Sequence, residues 1–161
     1  MSPKLVRPAQ KNDVLKIVAI LKEVFTDTYG PALKQAVLES FLTQQFSEEK
    51  VAAELEHYRL AQFDNKVVGL LKLRSLAQQR LELEKLYISK EARAMGFGKL
   101  LIDDAVAGAG QLQAKCLWVK VWQENRGALA FYKARGFSKI GVTEVHVFET
   151  IFHDDVLAKV L

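Results

Sequence analysis

Apolar residues at Val14, Ile17, Val18, Leu21, Val24 and Phe25 recur at the three-and-four spacing of an amphipathic helix. Asn12 and Asp13 stand before it as candidate caps. Tyr29-Gly30-Pro31 marks its end, because Gly accepts left-handed geometry and Pro cannot continue the hydrogen-bond ladder. A weak alternation over residues 4–8, stopped by Pro8, predicts a short strand ahead of this helix. Two more helices follow. One carries Leu33, Val37, Leu38, Phe41 and Leu42, and the next opens on Ser47-Glu48-Glu49-Lys50, a capping box with Lys where Glu is usual.

From Tyr58 the period falls to two. Residues 58–63 and 66–74 predict strands joined by a tight turn at Asp64-Asn65. The pattern then gives a strand at 80–88, a helix at 96–109, a strand at 115–122, a helix at 126–135, a strand at 137–148 and a last strand at 155–161. With no repeat and no linker, this order implies an α/β (α+β) architecture in one domain over 1–161, a mixed sheet with helices on both faces.

Composition narrows the function. The chain has 161 residues, 50% of them apolar and 26% charged, which fits one globular domain with a sizeable core. No apolar run approaches the roughly 18 residues of a membrane span. The opening MSPKLVRPAQ lacks the apolar block of a secretory signal, so the expectation is a cytoplasmic protein with no membrane partner. Cys116 is the sole cysteine, and His57, His146 and His153 lack metal-ligand spacing, so no metal is expected. The net charge of +4 suits a polyanionic ligand, but the basic residues are scattered, which argues against nucleic acid. From Ile140 to Ala158 there is no Lys or Arg, whereas Glu144, Glu149, Asp154 and Asp155 all fall there.

The segment Arg93-Ala94-Met95-Gly96-Phe97-Gly98 lies between a predicted strand and a predicted helix. The first N–H groups of a helix lack internal partners and carry the positive end of its dipole, so an anion satisfies them. No Ser, Thr, Asp or Asn stands beside Gly96 to cap those donors, although the same glycines also serve a plain tight turn. A phosphate-binding NTPase loop needs Ser or Thr where Leu100 stands, and a dinucleotide fold needs Gly where Leu101 stands; both are excluded.

Leu83-Glu84-Lys85-Leu86-Tyr87-Ile88, then Arg93-x-x-Gly96-x-Gly98, then Asn125 and Ala130 to Phe137 resemble the signature segments of the GNAT superfamily of N-acetyltransferases, and the likeness covers nearly the whole chain. Within it, Phe25 to Tyr29, Leu81 to Ile88 and Val121 to Asn125 look most like the bacterial PaiA-type spermidine/spermine acetyltransferases. The resemblance implies the GNAT acyl-CoA N-acyltransferase fold with a mostly antiparallel mixed sheet, and acetyl-CoA as cosubstrate between the strands at 81–88 and 115–122. It also implies that the backbone at Leu86, Tyr87 and Ile88 pairs with the pantetheine arm, with the Leu86 N–H near the thioester oxygen. The loop opened by Arg93 then takes the pyrophosphate on the N–H groups of Ala94, Met95, Gly96, Phe97, Gly98 and Lys99. Asn125, Ala130 and Phe131 fall on the cofactor side, Asn125 serving as a helix cap, a cofactor contact or both. Met95 stands where the family often has a basic residue and Ala94 where it often has Gly, which lowers the expected cofactor affinity.

Acetyl transfer to an amine needs a carboxylate to take the ammonium proton. Glu84 is the first candidate and Glu82 the second, since both share a strand face that turns apolar at Leu86 and Ile88; an ordinary pair of solvated or salt-bridged acids fits the same pattern. Tyr132 resembles the family's general acid for the departing sulfur, and also suits a packed core. Trp118 and Trp122 read as core, and Cys116 as an inert thiol. The resemblance puts the acceptor beside Phe25, Asp27, Tyr29, Glu82 and Glu144, with a small polycationic amine such as spermidine or spermine favoured and a monomer or homodimer expected. Acceptors such as a protein N-terminus, a lysine or an aminoglycoside, and a CoA-binding module without turnover, are the alternatives.

Overall fold

The structure, a computed structural model, describes residues 2–161. Its elements are β1 (Leu5–Pro8), α1 (Val14–Tyr29), α2 (Gln35–Gln45), α3 (Glu48–Ala53), β2 (Tyr58–Phe63), β3 (Lys66–Leu76), β4 (Arg80–Ile88), α4 (Phe97–Gln111), β5 (Cys116–Trp122), α5 (Arg126–Ala134), β6 (Ser138–Val147) and β7 (Thr150–Val160). The seven-stranded sheet has the order β1-β2-β3-β4-β5-β7-β6. β4 and β5 run parallel, whereas β1–β2, β2–β3, β5–β7 and β6–β7 are antiparallel, the mixed sheet of the sequence pattern and the mostly antiparallel one that the resemblance implies. No helix among the described residues is long and apolar enough to cross a membrane.

The chain divides into two compact units. One comprises residues up to Lys72 together with Lys85–Asp104. Here α1 buries the predicted stripe of Ile17, Val18, Leu21, Val24 and Phe25, and Ile20 with it. Asp13 works as a cap in reverse: its carboxylate accepts from the Gln10 N–H at 2.7 Å and from both terminal nitrogens of Arg7 at 2.8 and 2.9 Å. Leu33 lies ahead of α2 on extended backbone rather than in the helix, because the chain leaves the turn after Pro31 before winding again at Gln35. Asp64 and Asn65 adopt φ of 53° and 60°, the left-handed pair that a two-residue hairpin turn requires. Gly69 of β3 has no room for a side chain: a Cβ there would stand 2.7 Å from Ile88 Cδ1 and 3.1 Å from the Tyr87 carbonyl.

The other unit comprises Leu73–Glu84 and Ala105–Leu161. β5 alternates as a strand should: Leu117, Val119 and Val121 are buried on one face, and Cys116, Trp118, Lys120 and Trp122 project from the other. β7 departs from the sequence reading. It begins at Thr150 instead of 155, directly after a two-residue turn in which Phe148 has φ of 52°. Asp154, which that reading leaves ahead of the last strand, is therefore a strand residue set opposite Trp122 of β5, beside Asp155 opposite Val121.

Candidate active site

Glu82 and Glu84 sit two residues apart on β4 and so share one sheet face. Glu82 pairs with Trp118 in the parallel register, which puts it on the face that also presents Lys120. It is only 5% exposed and is matched by two cations: Arg74 Nη2 lies 2.5 Å and Nε 3.2 Å from its Oε2, and Lys120 Nζ lies 3.6 Å from its Oε1. A buried carboxylate so engaged is a structural ion, matched by a guanidinium and an ammonium. Glu84 is half-buried at the point along β4 where the polar side chains give way to Leu86 and Ile88.

In the same unit, Tyr132 is buried on α5, its ring 5.2 Å from that of Phe131 and 5.3 Å from that of Phe137. Asn125 caps α5, its Oδ1 accepting from the Ala128 N–H at 3.3 Å. Phe131 lies under the Arg135 guanidinium at 4.0 Å, and Ala130 is exposed one position earlier. Glu144 is exposed on β6, 3.6 Å from His146 Nε2. Sequence reasoning missed Arg74 as the partner of Glu82, since a strand-end arginine carries no signal of its own.

Asp154 and Asp155 differ sharply in surroundings. Asp155 accepts from Gln123 Nε2 at 2.9 Å and faces Lys139 Nζ at 3.2 Å, and the Gln123 bond foremost holds its carboxyl below the ordinary value. Asp154 is buried with its Oδ1 lacking any hydrogen-bond partner, and desolvation pushes its carboxyl upward against the opposing pull of Lys120.

The other unit holds the glycine loop. Gly96, at φ of +87°, precedes the first residue of α4, and beyond 3.8 Å from Lys4 Nζ a Cβ there would meet nothing, so the approach to the helix N-terminus is open. Ala94 also has positive φ, 63°, in the position where the resemblance expects Gly. Met95 is exposed and its carbonyl accepts from Lys4, while Phe97 is buried against Phe63 with ring centroids 5.9 Å apart. Lys99 pairs with Asp103 at 2.9 Å, and Gly98 is half-buried beside it. Arg93 turns from the loop: its Nη1 lies 2.6 Å from Asp27 Oδ2 and its Nε donates to the Ile88 carbonyl at 3.3 Å. The Arg93 bond holds the Asp27 carboxyl below its ordinary value.

Phe25 and Tyr29 belong to an aromatic cluster, with Phe25 stacked on Phe41 at 4.4 Å and 4.7 Å from Tyr29. Of the residues expected to receive the acceptor, Phe25 is buried core, Asp27 is the partner of Arg93 and Glu82 that of Arg74 and Lys120. Leu86, Tyr87 and Ile88 are half-buried at the end of β4, where Lys85 lies over the Phe46 ring at 5.3 Å and the Tyr87 ring at 5.9 Å.

Known proteins resemble this chain along most of its length. An uncharacterised N-acetyltransferase of Lactobacillus delbrueckii subsp. lactis is 29% identical over 156 residues, covering 90% of this chain and 88% of that protein. An uncharacterised N-acetyltransferase of Mycobacterium tuberculosis strain H37Rv is 27% identical over 129 residues, 78% of this chain and 83% of the other. The crystal structure of the PaiA N-acetyltransferase from Thermoplasma acidophilum in complex with coenzyme A superposes with a TM-score of 0.86 at 20% identity over 99% of both chains. A GCN5-related N-acetyltransferase from Rhodopseudomonas palustris superposes at 0.83 with 21% identity, over 100% of this chain and 98% of that one. At such identities the two structures speak for the fold. The profile of the Acetyltransferase (GNAT) family matches residues 16–137, and the chain belongs to that family of N-acetyltransferases.

Proposed function

We propose that this chain transfers the acetyl group of acetyl-CoA to a primary amine by direct attack within a ternary complex, and that the acceptor is a polyamine such as spermidine or spermine. Glu84 carries the reading: it is half-buried on β4 where the strand face turns apolar toward Leu86 and Ile88, a setting that suits a carboxylate for taking a proton, while Glu82 on the same face is buried against Arg74 and Lys120. The bound coenzyme A of the Thermoplasma PaiA structure supports acetyl-CoA as the donor here.

The residues present fit that donor. Gly96 and Gly98 keep side chains away from the first turn of α4, whose N–H groups suit a pyrophosphate. The backbone of Leu86 and Ile88 suits strand-like pairing with the pantetheine amides. Acetyl-CoA supplies the activated acetyl group when bound. Glu84 takes one proton from the ammonium so that its nitrogen becomes a nucleophile; as the C–N bond forms and the C–S bond breaks, the Tyr132 hydroxyl gives a proton to the departing sulfur, and the second proton released from the nitrogen as the amide forms restores that hydroxyl. Contacts with the rings of Phe131 and Phe137 fix the Tyr132 ring.

The test is release of free CoA from acetyl-CoA with spermidine, spermine, a lysine peptide and an aminoglycoside, repeated with Glu84→Gln and Tyr132→Phe. Preferential turnover of the polyamines, reduced in both variants by roughly a hundredfold or more, is the expected result. Tight acetyl-CoA binding without release from any amine would replace the enzyme with a CoA-binding module.

A further inference from the structure

Asp154 is a buried carboxylate that the fold leaves without a donor. It is 6% exposed, and its Oδ1 reaches neither solvent nor any hydrogen-bond partner. The adjacent Asp155, facing the other side of β7, is served by both Gln123 and Lys139. The chain therefore satisfies a buried strand carboxylate where only structure is at stake. Leaving the next one unsatisfied is costly, and such groups persist where they meet a ligand.

The neighbours indicate which ligand. Trp122 of β5 and Thr143 of β6 are the ladder partners of Asp154, so their side chains share its sheet face. Phe152 and Val156 flank it on that face of β7, and the Trp122 and Phe152 rings meet edge to face at 5.1 Å. The charged groups acting on it are Lys120, Asp155 and His153. Lys120 is the cation of that face that acts on Asp154, but its Nζ is engaged with Glu82 at 3.6 Å and its side chain is 45% exposed, so it is not fixed on Asp154. A carboxylate beside two aromatic rings and short of a hydrogen-bond donor matches an alkylammonium: its N–H groups suit the oxygen, its charge suits both carboxylate and ring faces, and its methylenes suit the apolar walls.

We propose that Asp154 binds an ammonium group of the acceptor, its carboxylate accepting a hydrogen bond from the substrate nitrogen, so that the residue selects charged alkylamines over neutral acceptors. The assignment rests on the reading of the chain as an amine acetyltransferase and adds the residue that sets its substrate class. The cation completes the polar group that burial penalises, while Glu84 keeps the proton transfer.

The test uses the full chain and Asp154→Asn, which keeps the shape and removes the charge. Two readouts are taken: steady-state KM for spermidine and for acetyl-CoA, and the rise in melting temperature that spermidine gives in the presence of CoA, which needs no turnover. The expected result is a KM for spermidine raised about tenfold or more, the loss of one charge-assisted contact, a KM for acetyl-CoA changed less than about twofold, and no spermidine-induced stabilisation. An unchanged spermidine KM together with an unchanged thermal shift overturns the proposal. Should Asp154→Asn melt early, Asp154→Glu, which moves the oxygens by one methylene, is read in the same assays, and an unmoved spermidine KM there overturns it equally. Absence of turnover by the wild type, with spermidine still stabilising it and not the variant, would sink the enzymatic reading and leave this one supported. Normal turnover with an unmoved KM does the reverse.

Discussion

Asp27 Oδ2 lies 2.6 Å from Arg93 Nη1, joining the last turn of α1 to the loop that leads into α4. The resemblance assigns Asp27 to the acceptor side and Arg93 to the cofactor loop, and in the structure the two are paired. Both side chains are about two-fifths exposed, so the bond adds little to global stability and weakens with salt. Its consequence is positional. With its Nε on the Ile88 carbonyl, Arg93 anchors the loop between β4 and α4. Asp27→Ala and Arg93→Ala are therefore expected to raise the KM for acetyl-CoA by similar factors, on the order of threefold, and the double variant to be no worse than either. A loss in Arg93→Ala far exceeding that in Asp27→Ala, with additive effects, would show that Arg93 contacts phosphate directly.

Ala94 holds φ of 63°, where an L side chain is strained and Gly is not. Ala94→Gly is expected to stabilise the chain by about 1 kcal/mol, a rise of roughly 2–4 °C in melting temperature for a domain of this size. A fall on substitution would mean that the entropy added to the unfolded chain outweighs the relieved strain.

Much of this architecture is legible because local rules and global fold agree. The α1 stripe, the Asp64-Asn65 turn, the β4 face with its two glutamates and the Asn125 cap all rest on periodicity or turn chemistry, which act over a few residues. The start of β7 was not legible, because its turn places Phe148 at positive φ without Gly, Asn or Pro to announce it. That single turn moves Asp154 from an expected loop into a strand, and with it the difference between a solvated acid and a buried one. Nor does periodicity reveal ion pairs between distant positions: Arg74 with Glu82 and Asp27 with Arg93 are fixed by tertiary structure alone.

Gly69 is needed for closeness. A Cβ there would stand 2.7 Å from Ile88 Cδ1, a side-chain end that can yield, but also 3.1 Å from the Tyr87 carbonyl, which is backbone and cannot move without shifting the end of β4. Gly69→Ala is expected to cost about 1–3 kcal/mol in denaturant unfolding. Because Tyr87 and Ile88 are the stretch proposed to pair with pantetheine, the KM for acetyl-CoA should rise as well. Lost stability with an unmoved KM would detach that stretch from the cofactor.

Asp13 and Asp154 bend the pH–stability curve in opposite directions. Arg7 holds the Asp13 carboxyl below its ordinary value, so the folded chain binds that proton less readily than the unfolded one. The stabilisation from Asp13 is complete above the unfolded value near ~3.9 and is lost as pH falls through the lower folded value. Asp154 is raised by desolvation, so the folded chain keeps its proton longer; its contribution is complete below ~3.9 and is lost as pH rises through the elevated folded value. Asp13→Asn should therefore destabilise at neutral pH, by about 2 kcal/mol for the loss of a paired, largely buried carboxylate, with the deficit closing in acid. Asp154→Asn should raise the melting temperature at neutral pH and lose that advantage in acid, because the penalty it removes exists only when the carboxyl is charged. Melting curves of the three proteins across the acid range decide both. If Asp154→Asn were less stable than wild type at neutral pH, the two N–H donors that the amide brings into the same buried place would cost more than the charge they replace, and Asp154 would not be the destabilising group that its raised carboxyl implies.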